Sequence, residues 1–158
     1  MRRMIIATLA LIGVFVALYL TLYKMGTIGH LACGFGSCER VNTSKWAIFA
    51  GAPVAAWGLG FYVTTLVVAV AGTTPANAEK RGVSQILVAM SGFGVLFSAW
   101  LTYLELYVID AICRYCVMSA VIVTLIFIVS VLDLLAHPAI TVPPEQLRHS
   151  HESGNLPN

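Results

Sequence analysis

Apolar residues fall in long runs along this chain, and short polar stretches separate them. Four runs are long enough to form helices that cross the hydrocarbon core of a bilayer, which takes about 20 residues. We predict spans over residues 4–23, 52–71, 82–104 and 112–132. The second run begins earlier, at Trp46, and Pro53 interrupts it because proline suits only the first turn of a helix. We therefore expect a short interfacial helix over residues 44–50, ahead of the second span.

Composition agrees with a membrane protein. Hydrophobic residues make up 59% of the chain and charged residues only 10%, whereas a soluble domain carries about a quarter charged residues. The formal net charge of +2 is too small to indicate a nucleic-acid partner. The sequence therefore predicts an all-α membrane protein, a four-helix bundle over residues 1–136 with a flexible polar tail at 137–158. No small-residue cleavage site follows the first run, so we expect it to remain as a span.

The four cysteines lie in two close pairs, Cys33 with Cys38 and Cys113 with Cys116. The first pair falls in the loop after the first span, and the second at the entrance to the fourth. With four spans, those two places lie on the same side of the membrane, so all four cysteines can meet at one face. Four cysteines allow three pairings, and the spacing alone does not choose among them.

Basic residues indicate which face this is. The doublets Arg2-Arg3 and Lys80-Arg81 flank spans closely at the face opposite the cysteines. Because cytoplasmic loops carry an excess of Lys and Arg, we predict that both termini are cytoplasmic. The cysteines then face the oxidising compartment, where disulfide exchange takes place.

The stretch "DAICRYC" carries a Cys-x-x-Cys at the mouth of a membrane helix. We predict Asp110 as the N-cap, which places Cys113 in the first helical turn. The helix dipole and the adjacent Arg114 favour a thiolate there, and sulfurs three residues apart share a helix face. Such a pair is suited to forming and breaking its own disulfide. The alternative is two buried apolar cysteines without chemistry.

In the loop pair, "CGFGSC", glycines between Cys33 and Cys38 permit a flexible loop. We interpret this pair as a mobile dithiol that passes electrons between an outside partner and a fixed site. A static loop disulfide is one alternative. A structural zinc site with four thiolates, or with His30 replacing one, is another; the spacings allow it, but the loop offers little scaffold. We predict no metal site.

Electrons that leave the thiols need an acceptor. The sequence has no nucleotide-binding fingerprint and no haem-ligating histidine pattern, and the predicted spans hold no charge that would mark an ion path. We expect a lipid-soluble quinone that reaches Cys116 through the bilayer, since hard redox chemistry commonly resides in the cofactor. Aromatic residues near or within the second span are candidates for its pocket, with lipid-facing positions as the alternative. They are Phe49, Trp57, Phe61 and Tyr62.

Four elements, in order, resemble the bacterial homologues of vitamin K epoxide reductase. They are "CGFGSC", Ser44 six residues after Cys38, "WAIFAGAPVAAWGLGFY" and "CRYC". The resemblance covers about residues 5–135 and implies a quinone-reducing disulfide oxidoreductase of the bacterial inner membrane. It implies that Cys113 and Cys116 form the active site beside ubiquinone or menaquinone, with Ser44 close by. Vertebrate members have tyrosine where this chain has Ala120, which argues against vitamin K epoxide as the substrate.

The resemblance also implies a relay. Cys33 and Cys38 would be the shuttle pair, with the partner attacking Cys38 and the released Cys33 passing electrons to Cys113. Many bacterial members carry a fused thioredoxin-like domain, and this sequence shows none. We therefore expect a separate periplasmic partner with a thioredoxin fold, of the DsbA-like kind.

Overall fold

The computed structural model describes residues 1–29, 37–74, 77 and 81–136. Five α-helices lie in these ranges, and the fourth continues directly into a π-helical turn, Glu105–Ile109. The helices are α1 Arg2–Lys24, α2 Cys38–Thr43, α3 Val54–Ala71, α4 Arg81–Leu104 and α5 Arg114–Ala136. Cys33, His30 and the predicted tail at 137–158 lie outside the described residues.

Four segments are long and apolar enough to cross a membrane, which confirms the predicted all-α bundle of four membrane helices. They are Arg2–Lys24, Val54–Ala71, Arg81–Ile109 and Arg114–Ala136. The third is five residues longer at its end than predicted, because the π-helical turn extends it. The fourth begins two residues later than predicted and runs four residues further.

Helix α1 packs against α3 and α5, and α4 packs mainly on α5. Ile6 and Ala10 of α1, Leu87 of α4 and Ile126 of α5 are fully buried and form part of one apolar core. Many large apolar side chains on the outer faces are instead exposed. This distribution fits a bundle in lipid, where apolar side chains face the hydrocarbon and the helices satisfy their own backbone hydrogen bonds.

The interfacial helix predicted over residues 44–50 is not formed as such. Only a 3₁₀ turn, Lys45–Ala47, is present, and the two-residue strand β1, Ile48–Phe49, then pairs antiparallel with β2, Ala52–Pro53. Ala50 and Gly51, between the strands, have φ of 49° and 81°. Positive φ at both central residues is the backbone of a tight hairpin turn, which the glycine makes accessible and an α-helix excludes. The short helix in this part of the chain is α2.

A buried ionic cluster closes the end of the bundle where α1 begins and α5 ends. The Arg3 guanidinium donates to Asp133 at 3.0 Å and to the backbone oxygens of Gly72 and Asn77 at 2.6 and 2.8 Å. The Ser84 hydroxyl donates to the same Asp133 carboxylate oxygen at 2.6 Å. Both members of the ion pair are nearly inaccessible. The cluster therefore ties α1, α4 and α5 together far from the cysteines.

Candidate active site

The chain enters the site through an irregular segment between α4 and α5. Asp110, with φ 51° and ψ 46°, ends the π-helical turn in a left-handed conformation. The N–H of Ala111 donates back to the carbonyl of Glu105 at 3.0 Å, and the N–H of Ser37 donates to the carbonyl of Ile112 at 3.1 Å. The second of these bonds joins the segment to the residue just before α2, so that α2 lies beside the start of α5.

The prediction that Asp110 caps α5 is wrong. Helix α5 begins at Arg114, and the carbonyl of Cys113 accepts its first hydrogen bond, from the N–H of Val117 at 3.1 Å. Cys113 is therefore the N-cap residue and does not lie within the first turn. Asp110 instead terminates the preceding helix, because aspartate tolerates the left-handed conformation better than most side chains.

Three of the four cysteines meet at this place. Cys38 is in a disulfide, whereas Cys113 and Cys116 are free thiols. Cys38 and Cys113 are both fully buried and belong to one small apolar cluster, against which the side chain of Cys116 also packs. The predicted meeting of the cysteines at one face is thus seen for the described ones. Cys33 lies outside the described residues.

The electrostatics favour a thiolate on Cys113. Its pKa is lowered below the ordinary thiol value, mainly because the Cys116 thiol donates a hydrogen bond to its sulfur. Burial and the charge of Glu105 act in the opposite direction, and the backbone N–H groups of Cys116 and Tyr115 again lower the pKa. These donors surround the N-terminus of α5, the position where the helix dipole also favours negative charge.

Asn42, on α2, is a site residue that the sequence analysis missed. Its side-chain amide donates to the carbonyl of Cys38 at 3.0 Å and lies 4.0 Å from the sulfur of Cys113. The backbone carbonyl of Asn42 accepts a hydrogen bond of 2.6 Å from the ammonium of Lys24. Asn42 therefore connects the two cysteine-bearing elements. Its place four residues after Cys38 on a helix was the available signal.

A largely apolar cavity of about 450 Å³ opens beside Cys116. Its walls are formed by α1, the hairpin region, α3, α4 and α5, and Cys116 contributes to them whereas Cys113 does not. The cavity is lined by all four aromatic residues predicted from the sequence, Phe49, Trp57, Phe61 and Tyr62. Ser44 lines it as well. The structure thus brings the predicted pocket residues and the second active-site cysteine to one space.

Tyr62 and Ser44 both have defined polar contacts. The Tyr62 hydroxyl donates to the carbonyl of Ser119 at 2.9 Å and lies 2.8 Å from its hydroxyl. The Ser44 hydroxyl donates to the carbonyl of Val41 at 2.8 Å. Tyr62 is therefore held by α5 at the cavity wall, and Ser44 is engaged with the backbone of α2.

Glu105, the first residue of the π-helical turn, is the second residue missed. It is nearly inaccessible, and its carboxylate lines the cavity together with Cys116. The carboxylate accepts a hydrogen bond of 3.2 Å from the N–H of Cys113 and interacts electrostatically with the Cys116 thiol. The third apolar run ends at Leu104, so the predicted span left Glu105 outside the membrane.

Among the described residues, no group of three His, Cys, Asp or Glu side chains is arranged so that it could hold a metal ion. A sulfur in a disulfide, as in Cys38, is not a thiolate ligand for zinc.

A comparison with known protein families gives a match that agrees with this geometry. The model of the vitamin K epoxide reductase family matches residues 4–131, which include all four membrane helices up to the last turns of α5 and both cysteine pairs. Members of this family are membrane oxidoreductases that act on disulfides. The chain belongs to the vitamin K epoxide reductase family and is an integral membrane oxidoreductase.

Proposed function

We propose that this protein oxidises the dithiol of a separate, periplasmic thioredoxin-fold (DsbA-like) partner and passes the electrons to a quinone, so that it supports disulfide formation. The observation that carries the proposal is the order of the sulfurs. Cys38 of the disulfide packs with Cys113, Cys113 is hydrogen-bonded to Cys116, and Cys116 reaches the apolar cavity. Sulfurs in this order make a path from the membrane surface to a lipid-soluble acceptor.

The outer step uses the loop disulfide, which the proposal takes as Cys33–Cys38. A partner thiolate attacks Cys33, Cys38 leaves as a thiolate, and the partner's second thiol then releases Cys33. Cys38 attacks Cys113 of an oxidised Cys113–Cys116 pair, and Cys116 leaves as a thiolate. Cys33 finally attacks the Cys38–Cys113 bond, which restores the loop disulfide and leaves the helix pair reduced. The described state, with Cys38 in a disulfide and free thiols on Cys113 and Cys116, is the product of this sequence.

This order revises the assignment that the resemblance implied. There, the partner attacked Cys38 and the released Cys33 passed electrons to Cys113. Cys38 is 0% exposed and packs in the same cluster as Cys113, so its sulfur is shielded from a partner in this state and close to the helix pair. This burial supports our assignment of the exchange with Cys113 to Cys38 and of the attack from outside to Cys33.

The cavity has the properties that a quinone ring requires. It is apolar, its volume of about 450 Å³ lies within the usual range for small-molecule sites, and aromatic side chains line it. Trp57, Phe61 and Tyr62 would hold the ring, and Cys116 lies on the same wall. A bound quinone supplies a two-electron, two-proton acceptor, ubiquinone or menaquinone. Orientation follows the basic doublets: both termini are cytoplasmic, in a bacterial inner membrane, and the cysteines are periplasmic.

The direct test is quinone reduction by the purified protein, supplied with a reduced DsbA-like partner and followed by the loss of quinone absorbance. We expect turnover in the native protein and none in Cys113→Ala or Cys116→Ala, with both variants keeping the native thermal unfolding temperature. Native-like turnover in either variant would remove these sulfurs from the reaction. Quinone that stays oxidised with the native protein would contradict the proposed acceptor.

Trapping the intermediate tests the order of the sulfurs. Without Cys116, the helix cannot form its own disulfide, and Cys113 should retain a bond to the loop. We expect Cys116→Ala to accumulate Cys38–Cys113, identified by peptide mapping under non-reducing conditions. Predominant Cys33–Cys113 would restore the order that the resemblance implied. The absence of any bond between loop and helix would contradict the relay.

A further inference from the structure

Glu105 is a buried carboxylate at this site to which the proposed relay gives no role. Its side chain is 4% exposed as a residue and lies in the wall of an apolar cavity. Burying a carboxylate costs free energy that an ion pair or several hydrogen bonds must offset. Among the described residues, the observed ion pair joins Arg3 to Asp133, and Glu105 takes part in none. It accepts a hydrogen bond from the N–H of Cys113 instead, and Cys116 lines the same cavity.

The Cys116 thiol must lose its proton before a disulfide can form. Two acceptors face this thiol, the sulfur of Cys113 and the carboxylate of Glu105. The Cys113 sulfur becomes part of the new S–S bond and cannot keep the proton. Lys24 also lines the cavity, but it donates to the carbonyl of Asn42, and an ammonium accepts no proton. Glu105 is then the described group that remains to take it.

We propose that Glu105 is the general base that deprotonates Cys116 during oxidation of the helix pair, a role that rests on the proposed function. Cys113 enters this step as a thiolate and Cys116 as a thiol. The Glu105 carboxylate removes the Cys116 proton, the two sulfurs bond, and their two electrons pass to the quinone in the cavity. Glu105 then gives its proton to the reduced quinone. The second proton, released when Cys113 ionised, returns from water at the membrane face.

A glutamine at this position separates the chemical role from a structural one. Its amide oxygen can accept the same hydrogen bond from the N–H of Cys113, and its size is the same, but it does not accept a proton. We expect Glu105→Gln to reduce quinone about 100-fold more slowly in a single turnover of the pre-reduced protein, the effect typical of a lost general base. Quinone affinity should be unchanged. The exposed carboxylate of α2 provides the matched control, and Glu39→Gln should behave as the native protein.

A second measurement needs no quinone. In a Cys113→Ala background with the loop disulfide intact, Cys116 is the free thiol, and a small maleimide reports how readily it loses its proton. We expect Glu105→Gln to speed this alkylation several-fold, because a maleimide reacts with the thiolate and the Glu105 carboxylate repels negative charge on the neighbouring sulfur. A residue that only shapes the site would leave the alkylation rate unchanged. The labelled site is verified by mass spectrometry.

Two further variants keep the test decisive if Glu105→Gln does not fold. Glu105→Asp retains a carboxylate on a shorter side chain and should show an intermediate rate. Glu105→Ala should regain part of its quinone reduction when formate is added, whereas chloride at equal ionic strength should have no effect. Equal alkylation and turnover rates in Glu105→Gln and the native protein would overturn the role of Glu105 alone. A native protein that does not reduce quinone would overturn the proposed function, and this step with it.

Discussion

A methyl group added at Gly13 should displace the ring of Tyr62, which lines the cavity. A Cβ at Gly13 would lie 2.4 Å from both Cδ1 and Cε1 of Tyr62, whereas carbon atoms in contact are about 3.5–4.0 Å apart. The Tyr62 ring would have to move by about 1 Å to relieve this overlap. Its hydroxyl bonds to Ser119, at 2.9 and 2.8 Å, could not both survive that movement. Glycine is therefore required where α1 and α3 approach.

The cost can be assembled from three terms. Overpacking a well-packed core costs about 1–3 kcal/mol, and the loss of a buried hydrogen bond costs about 1 kcal/mol. Alanine is a better helix former than glycine, which returns about 1 kcal/mol. We expect Gly13→Ala to lower the free energy of unfolding by about 2 kcal/mol, a fall in Tm of roughly 4–8 °C for a chain of this size. The KM for quinone should rise, because Tyr62 lines the cavity.

The assay is thermal unfolding in detergent, together with quinone titration of the folded protein. Gly92→Ala is the control, since a Cβ there would lie 3.4 Å from the nearest ring carbon of Phe127, an ordinary contact. This variant should unfold at the native temperature or slightly above it. If Gly13→Ala matches Gly92→Ala in both Tm and quinone affinity, the close approach of α1 to Tyr62 is not a feature of the folded protein.

Three other outcomes can be checked. Because the pKa of Cys113 is lowered, the reduced protein should show thiolate ultraviolet absorbance at pH values below about 8.5, where an ordinary thiol is mostly protonated. The lowered pKa also stabilises the reduced protein above that range, and this stability is lost as the pH falls through the lowered value. Cys116→Ala should move the titration upward; an unmoved titration would contradict the hydrogen bond from Cys116. Asp133→Ala leaves Arg3 buried without its carboxylate and should cost about 3–5 kcal/mol in unfolding free energy. Replacing both residues of the ion pair by Leu and Met should recover most of the lost unfolding free energy. An unchanged Tm in Asp133→Ala would show that the ion pair contributes nothing to stability. Finally, Thr74→Cys should resist an impermeant thiol reagent in intact cells, and efficient labelling there would invert the proposed topology.

The sequence was sufficient for the membrane helices and for the meeting of the three described cysteines. A run of about 20 apolar residues has few structures open to it other than a helix, because lipid offers no partner for unpaired backbone groups. The number of such runs then decides which loops share a face, without knowledge of any contact. Hydrophobicity also selected the cavity aromatics, since the same segment carries Phe49 at the hairpin and Tyr62 within α3.

Where the backbone leaves regular structure, the pattern of side chains was a poor guide. Residues 44–50 are apolar enough to be helical, yet Gly51 with positive φ and Pro53 after it favour a hairpin. The Trp57 indole donates to the carbonyl of Phe49 at 3.0 Å and so joins the hairpin to α3. That bond joins a residue of α3 to a residue outside the helix, eight positions earlier, so helical periodicity does not predict it.

The side-chain pattern also fails to place Glu105, the residue for which we propose a chemical role. An α-helix turns by about 100° per residue, so a pattern continued through residues 104–109 assigns each side chain a face. The π-helical turn adds one residue and shifts every later assignment, as such turns often do at functional sites. Residues 104–109 contain no glycine or proline that would indicate the turn. The N–H groups of Asp110 and Ala111 both donate to the carbonyl of Glu105 and close the turn. The segment that follows is held by a residue distant in sequence, since the N–H of Ser37 donates to the carbonyl of Ile112. The side-chain pattern of residues 104–109 contains no information about either set of backbone bonds, so it could not place Glu105 beside the cysteines.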